Sequence, residues 1–115
     1  MPVVETSVQN YQKCIDECNR CMQVCEECFN SCLKEDDVKA RAKCLSLLKD
    51  CADLCALSAK FMAGNSDFAK QLCGVCAAAC DACANECAMF KDTHCQQCAD
   101  ECRKCATECR NMATM

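Results

Sequence analysis

Cysteine recurs at steps of three or four residues along much of the chain, and this spacing restricts the possible folds more than any other feature. The longest stretch extends from Cys73 to Cys109 and contains two runs of five cysteines. Steps of three and four keep side chains on one face of an α-helix, at positions that a helical bundle normally fills with leucine or isoleucine. The spacing therefore predicts helices whose buried faces carry thiols.

All 19 cysteines of the chain fall into four runs with helical spacing. The runs are Cys14, Cys18, Cys21, Cys25, Cys28 and Cys32; Cys44, Cys51 and Cys55; Cys73, Cys76, Cys80, Cys83 and Cys87; and Cys95, Cys98, Cys102, Cys105 and Cys109. If the four segments pack against each other, their thiols meet in a single core. Such a core is expected to be a metal site rather than a hydrocarbon one.

The composition favours an all-α protein. The 115 residues include only two glycines, one proline and few aromatic side chains, which argues against a fold rich in sheet or loops. We expect a single domain over residues 1–115, with helices at about 6–34, 37–63, 66–91 and 93–112. Three short connections predict an up-down-up-down four-helix bundle with a cysteine-lined core.

Signals for the helix ends support these boundaries. Thr6 with Gln9 has the pattern of a capping box, and the aspartates of the acidic turn 35–37 suit the start of the second helix. Gly64 is a typical residue just beyond a helix end, and residues 65–67 offer side chains that could cap the third helix.

Two of the predicted helices carry an apolar stripe beside their cysteines. These stripes are expected to pack against other helices, and the wide apolar arc of the second helix indicates self-association. The stripes are Leu47, Leu54, Leu57 and Phe61 on the second helix, and Phe68, Leu72, Val75, Ala79 and Ala82 on the third. The charged positions of the first helix are interpreted as a solvated face; they are Lys13, Asp16, Glu17, Arg20, Glu26 and Glu27.

The charge balance excludes several classes of partner. The formal charge is −4 and there is no run of lysine or arginine, so neither nucleic acid nor an anionic membrane is expected to bind. No stretch of 18 apolar residues is present, and residues 1–13 lack the basic and apolar regions of a secretion signal. The cytoplasm is the expected location.

The cysteines do not fit a disulfide framework. Their number is odd, and neighbours three or four residues apart on a helix have Cβ atoms about 5 to 6 Å apart. A disulfide needs roughly 3.5 to 4.5 Å between these atoms. Reduced thiols that bind metal are therefore favoured.

Among the metals that soft thiolates select, Cu(I) suits this pattern best. Iron–sulfur clusters usually take cysteines from loop motifs, and structural zinc usually takes four ligands from paired knuckles. Cu(I) accepts two thiolate ligands, and a thiolate that bridges two ions gives about one copper per sulfur. Charge then cancels, which matters because uncompensated thiolates in an apolar core are costly.

The four files of cysteines, and particularly THCQQCADECRKCATEC at 93–109, resemble the bacterial copper storage protein family, in its cytosolic branch. The resemblance covers nearly the whole chain. It implies a four-helix bundle that assembles as a homotetramer, with many Cu(I) ions held inside each bundle. It also places a histidine near the open mouth of the bundle, at a position that His94 matches.

The predicted metal ligands are therefore all 19 cysteines together with His94. Met62 and Met112 are expected at the opposite end of the bundle, as core residues or as thioether ligands. The mouth is predicted to bring together Cys32, Cys44, Cys87, His94 and Cys95. The acidic turn 35–37 is expected to attract cations to the same end.

We found no catalytic triad, phosphate-binding loop or glycine-rich dinucleotide motif, and an enzyme is not expected. The leading prediction is a cytosolic Cu(I) store of roughly one ion per cysteine, which exchanges copper with an unidentified chaperone or acceptor. The alternatives are a zinc buffer, a protein that cycles its thiols to disulfides as a redox reserve, and a helical interaction module.

Overall fold

The computed structural model describes residues 6–115, with side chains from Tyr11 onward. Four helices follow one another, and a short 3-10 turn at Val38–Arg41 precedes the second. The helices are α1 (Thr6–Cys32), α2 (Ala42–Ala63), α3 (Ala69–Cys87) and α4 (Thr93–Ala113). No strand occurs among residues 6–115, and no helix in this range is long and apolar enough to cross a membrane.

The helices form the predicted up-down-up-down bundle. Each helix packs on the next, and α1 also packs on α4. The start of α1 meets the end of α4, where Cys14 Sγ lies 3.8 Å from Cys109 Sγ. The end of α1 meets the start of α4, where Cys32 Sγ lies 3.7 Å from Cys95 Sγ. The all-α fold class is confirmed.

The second helix begins later than the sequence indicates. The side chain of Asp37 makes no capping hydrogen bond and instead accepts one from Arg41 Nε at 2.7 Å. The chain therefore first forms the 3-10 turn, and α2 starts at Ala42 rather than near residue 37. The capping box predicted for Thr6 and Gln9 lies outside the described side chains.

Asn65, rather than Gly64, supplies the left-handed residue at the end of α2. Asn65 has a φ of 52°, whereas Gly64 has a φ of −83°. The N–H of Ser66 then donates to the carbonyl of Phe61 at 3.0 Å, which satisfies one of the free carbonyls of the helix end. Among the residues predicted to cap α3, Ser66 accepts a hydrogen bond at its Oγ from the N–H of Phe68 at 3.1 Å, and Phe68 occupies the N-cap position itself.

The core consists of sulfur and small apolar side chains. All 19 cysteines are buried, and Leu48 and Met62 are the largest fully buried residues. Alanines occupy the contacts between helices beside the cysteine runs; Ala52, Ala59, Ala69, Ala77, Ala84, Ala99 and Ala106 are all buried. Their small side chains let the helices approach closely around the thiols.

The packing face predicted for α3 is wrong at three of its five positions. Phe68 and Val75 are 64% and 55% exposed, and Ala82 is also exposed. The face that α3 buries instead contains Ala77 and Ala84. Because the cysteines and alanines already fill the space between helices, the bulkier stripe remains on the surface.

Candidate metal centre

The cysteine sulfurs form an array along the centre of the bundle. Neighbouring sulfurs from different helices lie within van der Waals contact of each other. Cys51 Sγ on α2 is 3.5 Å from Cys80 Sγ on α3 and 3.9 Å from Cys21 Sγ on α1. Cys102 Sγ on α4 lies 3.8 Å from Cys21 Sγ. All four helices therefore contribute ligand atoms to the same space.

Groups of four sulfurs in this array are close enough to share a metal ion. In each group the ligand atoms lie within 4.8 Å of one another. Four such groups are Cys18, Cys76, Cys105 and Cys109; Cys21, Cys55, Cys80 and Cys105; Cys21, Cys25, Cys51 and Cys102; and Cys25, Cys83, Cys98 and Cys102. Because successive groups share members, the sites are linked into a continuous line rather than separated.

All 19 cysteines are free thiols. Within one helix, the sulfurs four residues apart are held at nearly constant spacing, 4.0 Å for Cys21 and Cys25 and 3.9 Å for Cys76 and Cys80. These distances are about twice the length of a sulfur–sulfur bond, which is about 2.05 Å. The spacing suits an intervening metal ion better than a disulfide.

The mouth of the bundle is formed by the end of α1, the start of α2, the end of α3 and the start of α4. His94 Nδ1 lies 3.5 Å from both Cys28 Sγ and Cys95 Sγ, and 4.0 Å from Cys32 Sγ. These four residues form a further group whose ligand atoms lie within 4.8 Å of one another. The imidazole is therefore positioned as a fourth potential ligand beside three thiols.

The other two residues predicted at the mouth form a separate pair. Cys44 Sγ and Cys87 Sγ lie 3.7 Å apart, and Cys83 Sγ lies 3.9 Å from Cys87 Sγ. The predicted set of five thus divides into a group around His94, on α1 and α4, and a pair on α2 and α3.

Opposing effects act on the His94 imidazole. Partial burial disfavours the charged ring and lowers the pKa of His94. Contacts with the Cys28 thiol and the Glu35 carboxylate favour the charged ring and outweigh this effect, so the pKa of His94 is raised overall. Glu35 Oε1 lies 3.3 Å from His94 Nε2. This contact orients the ring so that Nδ1 faces the sulfurs, an arrangement common for histidines that bind metal.

Arg41 contacts the outermost thiols, which the sequence did not lead us to expect. It is the last residue of the 3-10 turn, three residues before Cys44, and is only 4% exposed. Its Nη1 donates to Cys32 Sγ and Cys95 Sγ, each at 3.5 Å, and its Nη2 lies 2.6 Å from Asp92 Oδ2. The guanidinium also stacks on Phe90, 4.6 Å from the ring centroid. One sequence signal could have identified it. Arg41 lies three residues before Cys44, in register with the buried cysteines, and a buried charge needs a partner such as Asp37, four residues before it.

Arg41 also fixes the charge of the loop before α4. Asp92 is the N-cap residue of α4, but its side chain makes no capping hydrogen bond. The guanidinium of Arg41 instead holds the pKa of the Asp92 carboxyl below its usual range. The mouth therefore contains a fixed cation and at least two carboxylates beside the outermost thiols.

The opposite end of the array is closed by apolar side chains. Met62 is fully buried, and Met112, Tyr11, Ile15 and Ala69 are less than one-tenth exposed. The two methionines lie at the end predicted for them. That either thioether binds metal stays a prediction.

A pair of carboxyl groups lies on the wall between α1 and α4. Glu101 is only 8% exposed, and one oxygen of Glu101 and one of Glu17 are buried without a hydrogen-bond partner. Burial and the neighbouring Glu101 raise the pKa of Glu17 to about 8. Glu17 therefore does not belong to the fully solvated face to which the sequence assigned it.

Comparison with known proteins agrees with this geometry. The family model described as copper storage protein matches residues 7–114. A Bacillus subtilis (strain 168) protein described as the uncharacterized cysteine-rich protein YhjQ is 43% identical over 91 residues, covering 79% of this chain and 84% of its own length.

Two solved structures show the same fold at substantial sequence identity. The Cu(I)-bound copper storage protein BsCsp3 is 43% identical, with a TM-score of 0.86 over 90% of this chain and 97% of its own. A cytosolic copper storage protein from Streptomyces lividans with five coppers is 32% identical, with a TM-score of 0.88 over 96% of this chain and 97% of its own. A cysteine-lined four-helix bundle, a family match over almost the entire chain and these relatives lead to one conclusion: the chain belongs to the copper storage protein family.

Proposed function

We propose that this protein is a cytosolic store that binds many Cu(I) ions through the thiolates of its core and has no catalytic role. The observation that carries this proposal is the continuous array of buried sulfurs, whose neighbours lie 3.5 to 4.0 Å apart. The Cu(I)-bound relative and the cytosolic relative support the metal and the location. Sequestration inside the bundle would keep copper away from other thiols in the cell.

The proposed ligands are the 19 cysteines and His94, and the proposed capacity is about one copper per cysteine. Cu(I) accepts two thiolate ligands, and a thiolate inside the array has sulfur neighbours on several sides, so it can bridge two ions. One Cu(I) per thiolate leaves a buried core near neutrality. An ion of charge +2 bound by four thiolates would leave a net negative charge in the same space.

Anaerobic titration of the reduced protein with Cu(I) tests this proposal. Uptake should continue to roughly 19 ions per chain, since the array offers that many bridging sulfurs. Saturation after a few ions would contradict a continuous copper array and indicate a single defined site. A parallel titration with Zn(II) should saturate at far fewer ions.

A zinc buffer is the second candidate, and one observation favours it. Each four-sulfur group has its ligand atoms within 4.8 Å of one another, close to what a tetrahedral zinc site requires. The groups share cysteines, however, so neighbouring groups cannot all be filled with four-coordinate ions at once. Stoichiometric displacement of bound Zn(II) by Cu(I) would favour the copper store, and failure of displacement would favour zinc.

We infer that copper enters and leaves through the mouth. A cleft of about 380 Å³ between α1 and α4 reaches Cys28 and His94 and is also lined by Glu27, Glu101 and Lys104. A neutral imidazole binds Cu(I) more weakly than a thiolate, so His94 would pass the ion onward instead of retaining it. A copper-donating or copper-accepting protein would exchange the ion at this end.

We further propose that the chain forms one domain and assembles with copies of itself, as a homotetramer. The support is the apolar surface of α2 and α3, where Leu57, Phe68 and Val75 are exposed and Val75 lines a groove together with Leu47 and Leu54. Analytical ultracentrifugation of the protein and of Val75→Asp tests this assembly. A monomeric unmodified protein would contradict it.

A further inference from the structure

Two of the sulfurs at the mouth, those of Cys32 and Cys95, have a cation as neighbour. Cys32 Sγ and Cys95 Sγ lie 3.7 Å apart, and a single atom, Arg41 Nη1, lies 3.5 Å from each of them. Both sulfurs are fully buried. Arg41, the last residue of the 3-10 turn before α2, therefore lies beside both sulfurs at the edge of the array.

Arg41 has little freedom to leave this position. Its Nε lies 2.7 Å from Asp37 Oδ1 and its Nη2 lies 2.6 Å from Asp92 Oδ2, so two of its three nitrogens are bound to carboxylates. The third nitrogen, Nη1, faces the sulfurs. A planar guanidinium held at several points loses little further entropy when it donates to an additional acceptor, and it remains charged at any pH at which proteins fold.

A copper–thiolate array has excess negative charge at its end, and a cation placed there compensates that charge. An interior thiolate that bridges two Cu(I) ions shares its charge between them, so the charges cancel. A thiolate at the edge has copper on one side only. When one Cu(I) replaces the thiol protons of Cys32 and Cys95, two protons leave to solvent and the two-coordinate complex has a net charge of −1.

We propose that Arg41 is the counter-ion of a Cu(I) ion held between Cys32 and Cys95, the outermost ion of the array. This inference rests on the proposed function. Nη1 donates to both sulfurs and stabilises the anionic complex, because hydrogen bonds to charged acceptors are about twice as strong as those between neutral groups. The carboxylate of Asp92 acts in the opposite direction, since its Oδ2 lies 3.9 Å from Cys95 Sγ and repels the same anion.

The test compares the two opposing charges. The fully loaded protein is mixed with a limiting amount of a high-affinity Cu(I) chelator, and the dissociation constant of the first ion to leave through the mouth, the outermost one, is determined. Arg41→Met should raise this constant about tenfold, because a charge-assisted hydrogen bond is lost. Asp92→Asn should lower it, since the repulsion is removed while the amide oxygen of asparagine can still accept the hydrogen bond from Arg41 Nη2 and Asp37 still holds Arg41 Nε.

The opposite directions separate the counter-ion role from a structural one. If Arg41 and Asp92 only held the mouth together, both substitutions would loosen the ion, and that result would overturn the proposal. Arg41→Lys retains the charge and should restore part of the affinity lost in Arg41→Met. Should Arg41→Met fail to fold, Asp92→Asn still decides the question, because tighter binding is expected from it.

A double-mutant cycle shows whether Arg41 acts through the proposed pair of sulfurs. In a Cys32→Ser background the anionic complex cannot form, so Arg41→Met should have no further effect on copper release. Arg103→Met is the matched control, because Arg103 is half-exposed and pairs with Asp100 on the surface. Equal release from the unmodified protein and Arg41→Met would refute this inference alone, whereas failure of the unmodified protein to bind copper would refute the proposed function.

Discussion

The two ends of the bundle are closed by different kinds of side chain. At one end the array is covered by Met62, which is fully buried, together with Tyr11, Ile15 and Met112. At the other end it is bordered by the guanidinium of Arg41 and the ring of His94. The same sulfur array thus ends in an apolar plug on one side and in an ionic network on the other.

Because of this difference, we expect copper to be exchanged at the mouth rather than at the closed end. Apolar side chains packed to the density of a protein interior admit neither water nor ions without a large cost in free energy. Polar groups at the mouth can exchange their contacts for water or for an arriving cation at low cost. We therefore expect the closed end to contribute stability and the mouth to control the rate of exchange.

The largest expected effect is on the free energy of unfolding, and it comes from a substitution at the closed end. Met62→Ala should lower the free energy of unfolding of the apo protein by about 2 to 5 kcal/mol, because it leaves a cavity in a fully buried site. Urea unfolding of the reduced, metal-free protein, followed by far-UV circular dichroism, measures the change. The exposed Met89 provides the control, since Met89→Ala should change this free energy very little. A small loss in Met62→Ala would show that this end is not a packed plug.

At the mouth the expected effect is kinetic. His94→Ala should slow copper uptake about tenfold, as expected when one weak intermediate ligand is lost, and leave the total capacity almost unchanged. Stopped-flow transfer from a copper-loaded chelator measures the rate. Cys102→Ser in the middle of the array is the contrasting variant, because it should reduce capacity by about one ion with little effect on rate. Equal uptake rates for His94→Ala and the unmodified protein would show that His94 has no part in copper uptake and that only the cysteines at the mouth act there.

The nature of the plug can be examined with a substitution that conserves volume. Met62→Leu removes the thioether but keeps a side chain of similar size, so the free energy of unfolding should fall by less than about 1.5 kcal/mol. Copper capacity should stay the same if Met62 is purely a packing residue. A capacity lower by one ion would instead identify Met62 as a ligand and make the two ends more alike.

The smallest expected effect is on the pH dependence of stability, and it concerns Glu17 on the wall between α1 and α4. Burial raises the pKa of Glu17 from 4.5 to about 8. We therefore expect its carboxyl group to be neutral in the folded protein at neutral pH. The folded state then keeps a proton that the unfolded state releases. The stability that this proton contributes is complete below pH 4.5 and is lost as the pH rises to 8.

Glu17→Gln removes this pH dependence, so the difference in unfolding free energy between it and the unmodified protein should grow in favour of Glu17→Gln between pH 5 and 8. Urea unfolding of the metal-free protein under reducing conditions measures the difference at each pH. Glu27→Gln, on the exposed face of α1, is the matched control. A parallel pH dependence in all three proteins would mean that Glu17 is ionised on the wall.

Much of the architecture could be predicted from the cysteine spacing alone. Steps of three and four residues define a helical face whatever the neighbouring helices do, so the number of helices, the faces that carry the cysteines and the cysteine-lined core were predicted correctly. The position of His94 near Cys95 and Cys32 was also predicted, because short connections bring the end of α1 and the start of α4 together. These features depend on local periodicity and chain connectivity, and the sequence contains both.

The remaining features depend on which side chains meet across helices. The contacts of Arg41 could not be identified from the sequence, because they include Asp92 and Cys95, more than 50 residues away. Glu17 was assigned to solvent because its burial requires Glu101 on α4. By itself the sequence determined that the core is made of sulfur, since periodicity is a property of one helix at a time. Only the tertiary structure decided where charge enters that core, because a buried charge is tolerated only where distant partners compensate it.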